Sequence, residues 1–337
     1  MPESMKRIVL ASRPVGAPKD SDFRFEEVAV PEPTEGEVLA KVLYLSVDPY
    51  MRGRMRDRAS YSQPFALNEP LYGGGVSRVV ASKSPRFALG DYIEGMTPWQ
   101  PWITTTGKGF RKLDPAVAPV STALGVLGMP GLTAYFGLLT VGAAKAGETV
   151  VVSGAAGAVG SIAGQIAKIQ GCRVVGIAGS DDKVAWLTEE LGFDAAFNYK
   201  TTGDYRKTLA EFCPSGVDVY FDNVGGPISD AVMPLLNVKA RIPICGQISQ
   251  YNDESAPLGP RSDFYLIIKR ARKEGFLVID FAERYGEGLS ALTGWVREGK
   301  LRYREQFELG LENMVRAFTG MMEGSNTGKM LVKIAAE

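Results

Sequence analysis

Gly154, Gly157 and Gly160 stand between a β-branched run, Thr149–Val152, and a stretch rich in Ala, Ile, Gly and Gln, Ser161–Gln170. Glycines there allow a tight turn and let backbone amides approach an anion. The N-terminus of a following helix adds roughly half a positive charge at the same spot. A second run, Arg173–Ile177, completes a strand–turn–helix–strand unit. Three glycines alone say little, but in this context they are the fingerprint of a dinucleotide pyrophosphate site. The candidate pyrophosphate residues are Gly154, Ala156, Gly157, Ala158, Val159 and Gly160.

The end of the second strand selects the cofactor. A site for NAD places Asp or Glu there, on the ribose 2′-hydroxyl. Here the strand runs into Ala178, Gly179 and Ser180, and Lys183 lies one helical turn on. Small residues leave room for a 2′-phosphate that Lys183 can reach. Asp181 and Asp182 argue the other way, or are first-turn acids of the next helix with Ser180 or Asp181 as N-cap. The reading is NADP(H). Asn223 falls at a strand C-terminal end, where open α/β sheets bind ligands, or else makes an Asx turn before Gly225.

Two shortages exclude other chemistry. The chain has no histidine, and its three cysteines, Cys172, Cys213 and Cys245, are far apart. No Cys-x-x-Cys pair exists, so a zinc site is not expected, nor is a Ser-His or Cys-His nucleophile. Hydride transfer remains open, because the cofactor carries that chemistry. Lys plus Arg and Asp plus Glu number 38 each, which gives no electrostatic footprint for nucleic acid or an anionic membrane. No apolar run is long enough to span a bilayer. The opening MPESMKRIVLASRP lacks a signal core, and the odd thiols fit a reducing compartment, so a cytoplasmic location is expected. Cys172 and Cys245 read as small buried hydrophobes.

These residues need a scaffold. A chain of 337 residues suggests two domains. The first 125 residues carry short β-rich runs, Arg24–Val30, Glu37–Ser46, Gly74–Ala81 and Asp91–Gly95, with turn or bulge signals at Gly73-Gly74-Gly75 and Gly90-Asp91. Leu132–Val141 then looks helical. Beyond it strands alternate with helices: Thr149–Val152, Arg173–Ile177, Ala195–Asn198, Val217–Asn223, Ala240–Cys245 and Gly275–Phe281. That alternation predicts a doubly wound parallel sheet. An amphipathic helix near Leu311–Met322 and a strand, Lys329–Ile334, follow. This last strand has no evident partner in the parallel sheet and can return to the N-terminal domain. Asp48 reads as the N-cap of a helical turn. Arg52 and Arg54 are either surface charges or groups that orient the domain on the cofactor. Met96, Trp99 and Trp102 are either core or the apolar wall of a cleft.

Several segments carry a family resemblance. They are LSVDPYMRGRM (Leu45–Met55), LGVLGMPGLTAYFGL (Leu124–Leu138), SGAAGAVGS (Ser153–Ser161), FNYK (Phe197–Lys200), DNVGG (Asp222–Gly226), ARIPICGQISQYN (Ala240–Asn252) and GSNTGK (Gly324–Lys329). In order and content the chain resembles the zinc-free medium-chain dehydrogenase/reductases, in the prostaglandin/leukotriene reductase branch, near the bacterial curcumin (2-alkenal) reductases. The resemblance implies an α/β fold, a Rossmann doubly wound sheet (residues 126–297) inserted in a GroES-like β-rich catalytic domain (1–125 and 298–337). It implies NADPH-dependent, metal-free reduction of the C=C bond of α,β-unsaturated ketones or aldehydes, with hydride delivered to the β-carbon. It also implies a homodimer joined through the Rossmann domains, near Ala240–Cys245 and Gly275–Phe281.

Roles transfer by position. Lys183 and Tyr199 match holders of the 2′-phosphate. Asn223, Cys245, Gly246, Gln247, Ile248, Ser249, Tyr251, Phe276, Leu277, Val278 and Asn326 match positions lining the rest of the cofactor. Tyr61 matches a substrate-facing tyrosine. A second family tyrosine, which binds the substrate carbonyl, falls near Ile268, with Tyr265 about one turn away. The candidate hydroxyl donors are therefore Tyr61, Tyr251 and Tyr265. A quinone reductase and an NADPH-binding protein without turnover are the competing readings.

Overall fold

The computed structural model describes residues 2–337. Seven strands come first: β1 (Ser4–Leu10), β2 (Phe23–Ala29), β3 (Val38–Ser46), β4 (Tyr72–Ser82), β5 (Tyr92–Pro98), β6 (Trp102–Thr105) and β7 (Arg111–Leu113). Six follow the glycine-rich middle of the chain: β8 (Thr149–Ser153), β9 (Arg173–Ala178), β10 (Ala195–Asn198), β11 (Val217–Phe221), β12 (Leu236–Ile244) and β13 (Arg272–Gly275). Two more, β14 (Glu305–Leu309) and β15 (Lys329–Lys333), close the chain.

The residues up to Gly125 together with Glu305–Glu337 form one compact unit, and Val126–Arg304 forms the other. Residues 298–304 stay with the second unit. Leu301 is buried there, Arg302 N–H donates to Gln165 Oε1 (2.8 Å), and Gln165 Nε2 donates to Arg302 O (2.9 Å).

In the first unit the strands run β14-β15-β3-β4-β5-β7, with β6 also paired to β3 and β1-β2 as a separate hairpin. β3 lies inside the sheet, and its sequence, VLAKVLYLS, is buried along almost its whole length. The strand expected near the C-terminus is β15, parallel to β14 and antiparallel to β3. The 73–75 glycine run lies within β4 rather than in a turn. A Cβ on Gly73 would come within 2.2 Å of Met51 Cε, and one on Gly75 within 2.5 Å of Thr97, so these glycines serve close packing. Trp99 is fully buried between the rings of Phe23 and Phe318, which makes it core, whereas Met96 is exposed.

The second unit has a wholly parallel sheet in the order β10-β9-β8-β11-β12-β13. Val150, Val151 and Val152 of β8 have no exposure, as a central parallel strand requires. The sixth strand is not Gly275–Phe281 as its composition suggested. Strand pairing stops at Gly275, and Val278–Arg284 forms a 3₁₀ turn whose Asp280 carboxylate accepts the Leu277 N–H (3.2 Å). The strand is the charged segment RKEG, exposed on both faces, because only an edge position needs no apolar face. The helix expected over residues 132–141 begins at Met129 and continues to Val141 as a wider π turn. No helix among the described residues is long and apolar enough to cross a membrane.

Candidate functional site

β8 delivers the chain to Gly154, whose φ of +58° suits glycine. Gly157 N–H closes the turn on Gly154 O (3.0 Å), and Ala155 N–H ties it to Ile177 O of β9 (2.9 Å). A Cβ on Gly160 would lie 2.3 Å from Gly154 O, so only glycine lets the helix Gly160–Ile169 start this close to the turn. Its N-cap, Val159, has no side-chain acceptor to offer the first-turn amides. This cradle fits a pyrophosphate.

At the end of β9, Ser180 Oγ accepts the Lys183 N–H (3.4 Å) and caps the helix Asp181–Ala185. Asp181 and Asp182 are its first-turn acids, and Asp181 Oδ1 also accepts from Asn198 Nδ2 (2.9 Å). The acids therefore serve the helix and β10. The Tyr199 ring lies against Gly179, where a Cβ would come within 3.0 Å of Cε1, and Tyr199 N–H donates to Ala178 O (3.0 Å). Burial, and then the nearby Lys200 ammonium, push Lys183 below the ordinary lysine value. Lys200 is the residue that sequence reading overlooked here, although it follows Tyr199 directly. Two ammoniums and a phenol beside small residues suit a phosphate and repel no dianion.

On the other half of the sheet, the loops after β11 and β12 are bonded into one piece. Asn223 N–H donates to Ser153 Oγ (2.9 Å) and Asn223 Nδ2 to Ser153 O (2.7 Å). Ile248 N–H reaches Asn223 O (3.3 Å), while Ser249 N–H (3.2 Å) and Ser249 Oγ (2.6 Å) both reach Val224 O. Gln247 N–H donates to the Tyr251 hydroxyl (3.2 Å), which also lies 3.0 Å from where a Gly246 Cβ would be. Burial raises the Tyr251 hydroxyl, keeping it protonated and able to donate. Burial likewise pushes the Cys245 thiol up to about 12, so it stays neutral, as a small apolar side chain would.

The fold thus brings residues 154–160, Gly179, Ser180, Lys183, Tyr199, Asn223 and residues 245–251 to the C-terminal edge of one sheet. The other candidates stand differently. Phe276 packs across Phe221 (6.3 Å between centroids) and against Gly137, so core packing holds it. Leu277 and Val278 enter the 3₁₀ turn beyond β13. Tyr265 packs against the core of the second unit with Leu266 and Ala271, while Ile268 is exposed. Tyr61, 64% exposed, and Asn326, which donates to Gly328 O (2.8 Å), belong to the first unit.

The first unit corrects the reading of Asp48 and removes one of the two readings of Arg52 and Arg54. Asp48 is not an N-cap: Pro49 holds that position, and the buried Asp48 carboxylate accepts Lys329 Nζ (3.0 Å) and Ser46 Oγ. Arg52 and Arg54 are buried struts rather than surface charges. Arg52 donates to Pro14 O (3.2 Å) and Gly16 O (2.7 Å). Arg54 donates to Gln63 O (3.0 Å) and the Tyr72 hydroxyl, with its guanidinium 4.2 Å from the ring centres of both Phe65 and Tyr72. Tyr50 sits beside this group. Burial and then Asp48 raise its hydroxyl well above the ordinary value. Among the described residues no three acids or cysteines gather where they could hold a metal ion.

Two family models match the chain: an N-terminal domain of oxidoreductase over residues 6–113 and a zinc-binding dehydrogenase over 158–293. A Bacillus subtilis protein provisionally named an NADP-dependent oxidoreductase is 55% identical, covering 99% of each chain. The NADPH-dependent curcumin reductase of Escherichia coli is 46% identical over 98% of this chain and 97% of its own. The crystal structure of CurA from Vibrio vulnificus in complex with NADPH superposes with a TM-score of 0.94, at 46% identity, over 98% of this chain and 100% of that one.

Proposed function

This chain belongs to the medium-chain dehydrogenase/reductase family, in the branch of curcumin, 2-alkenal and prostaglandin reductases, and on that premise we propose that it uses NADPH to reduce the C=C bond of α,β-unsaturated ketones and aldehydes. The observation that carries the reading is the end of β9. A capped helix, Lys183 and Tyr199 meet there beside the glycine turn, and no acid stands where a 2′-hydroxyl would need one.

NADPH, when bound, supplies a hydride. The chain's part is to bind and orient. Residues 154–160 hold the pyrophosphate, Lys183 and Tyr199 the 2′-phosphate, and Asn223 with residues 245–251 the nicotinamide end. Leu277 and Val278 flank that end. Attack at the β-carbon builds charge on the carbonyl oxygen, as a delocalised enolate that a few hydrogen bonds can hold. Tyr61, Tyr251 and Tyr265 remain the donors to test. Tyr251 is favoured because its hydroxyl already accepts the Gln247 N–H and so has its own proton to give. With 4-deuterated NADPH and an enone such as a diarylheptanoid, the product should be the saturated ketone, with deuterium at the β-carbon by proton NMR. Deuterium on a carbinol carbon would make the protein an alcohol dehydrogenase by chemistry.

The second unit also offers a surface for a second copy. β13 is an unpaired, exposed sheet edge, and the adjacent helix Asp263–Lys269 exposes Phe264 and Ile267. Two such edges joined antiparallel would continue the sheet, so a homodimer is proposed. Light scattering should report twice the 36.4 kDa chain mass, and a monomer at micromolar concentration would rule the dimer out. The three free cysteines suit a reducing compartment, and the cytoplasm is the proposed location.

A further inference from the structure

Resting on the NADPH reading above, we propose that Asp222 is a positioning residue that sets the nicotinamide end of the site by locking three loops together. Asp222 follows β11 directly and is 1% exposed. Its Oδ1 accepts from Ser153 Oγ (3.1 Å), the Tyr220 hydroxyl (2.9 Å), Val224 N–H (3.0 Å) and Gly225 N–H (2.9 Å). Its Oδ2 accepts from Ser229 Oγ (2.6 Å). Its carbonyl accepts from Cys245 N–H (2.8 Å) and Gly246 N–H (3.1 Å), and its own N–H donates to Pro243 O (3.0 Å).

One residue is therefore bonded to the end of β8, to its own loop after β11 and to the loop after β12. Oxygens buried this deep need donors in place of water, and here they have them. The link to the site is short. Ser153 Oγ, donating to Asp222, accepts the Asn223 N–H (2.9 Å), and Ser153 O accepts Asn223 Nδ2 (2.7 Å). The direction of effect follows from strand order. A dinucleotide lies across the point where the order reverses, with one mononucleotide on each half of the sheet. Lys183 and Tyr199 follow β9 and β10, on the adenosine half, whereas everything Asp222 braces beyond Ser153 lies in β11 and β12 or follows them. Losing the lock should misplace the nicotinamide and spare the adenosine end.

The full chain is tested as wild type, Asp222→Ala, Asp222→Asn and Ser153→Ala. Affinity for adenosine 2′,5′-bisphosphate reads the adenosine end. The change in NADPH fluorescence on binding reads the nicotinamide, and single-turnover reduction of an enone reads its placement. Asp222→Ala should slow the single turnover about 100-fold, the size of effect an ångström of misplacement produces. It should also abolish the fluorescence change, with bisphosphate affinity held within about twofold. Asp222→Asn keeps an acceptor for the four Oδ1 donors and can donate to Ser229 Oγ, so it should recover most of both signals. Bisphosphate affinity falling in step with NADPH affinity, or an unchanged turnover in folded Asp222→Ala, would overturn the proposal. Should Asp222→Ala not fold, Ser153→Ala decides. It removes the hydroxyl that joins Asp222 Oδ1 to the Asn223 N–H, leaves the other Asp222 donors in place, and should give the same split at about tenfold; an equal loss at both ends, or none, overturns the proposal. A wild type that changes NADPH fluorescence but reduces no enone ends the functional reading alone, since the Asp222 test still reads on fluorescence and bisphosphate.

Discussion

Lys329→Met should destabilise the protein by about 3–5 kcal/mol, the range for removing one partner of a buried ion pair. The Lys329 and Asp48 side chains are 4% and 7% exposed, and Lys329 Nζ also donates to Val47 O (2.7 Å). Without the ammonium, Asp48 keeps Ser46 Oγ as its one side-chain donor among the described residues, in a buried site. Glu305, bonded to Ser121 Oγ (2.8 Å), also feels Lys329, and burial already holds its carboxyl above the ordinary value. The single variant thus leaves two acids with their common cation gone. Asp48→Leu combined with Lys329→Met should recover most of the loss, because an apolar pair of similar volume is close to neutral in such a place. Urea unfolding of the wild type, both single variants and the double variant gives the coupling directly. Additive losses, or a single-variant loss below about 1 kcal/mol, the value of an exposed pair, would show that the charges do not depend on each other.

That pair marks where reading from sequence stops. Asp48 before Pro49 has the local signature of a helix N-cap, and a lysine opening a strand reads as solvated. Their contact spans 281 residues and is fixed only when β15 settles between β14 and β3. Arg52 and Arg54 were opaque for the same reason: their partners, Gly16 O and Tyr72, come from other segments. The parallel sheet was legible because a buried strand must be apolar along its length, as in the valines of β8. The edge strand β13 escaped because an edge carries no such constraint, and its apolar neighbour, residues 276–281, drew the assignment instead. The glycine turn was readable residue by residue, since each glycine answers a local steric need. Asp222 lay inside a quoted motif without a role, because its donors come from Ser153, Tyr220, Ser229 and its own loop, and only folding assembles them.

Lys183→Ala should raise the NADPH dissociation constant by about tenfold to 100-fold and leave NADH almost unchanged. A hydrogen bond to a charged group contributes about 1.5–3 kcal/mol, and about 1.4 kcal/mol is tenfold in affinity. The substitution spares the cap on the helix Asp181–Ala185, which uses the Lys183 backbone N–H that alanine keeps. Tyr199→Phe should cost less, since it removes a neutral donor and leaves the ring against Gly179. Lys200→Ala separates direct contact from field. If Lys200 acts only through its charge, its loss should weaken NADPH binding by a smaller factor that vanishes at high salt. The pH dependence has a definite sign. Before a phosphate binds, the Lys183 ammonium sits below the ordinary lysine value, through burial first and Lys200 second. A bound phosphate dianion favours the charged form and lifts that value again. NADPH affinity should therefore be full below the pre-binding value and decline as the solution is made alkaline through it, a decline that Lys183→Ala should lose. NADH affinity, with no phosphate to feel the lysine, should show no such decline. Equal losses for NADPH and NADH in Lys183→Ala would remove the 2′-phosphate from this corner of the sheet, and with it the reason for preferring NADPH.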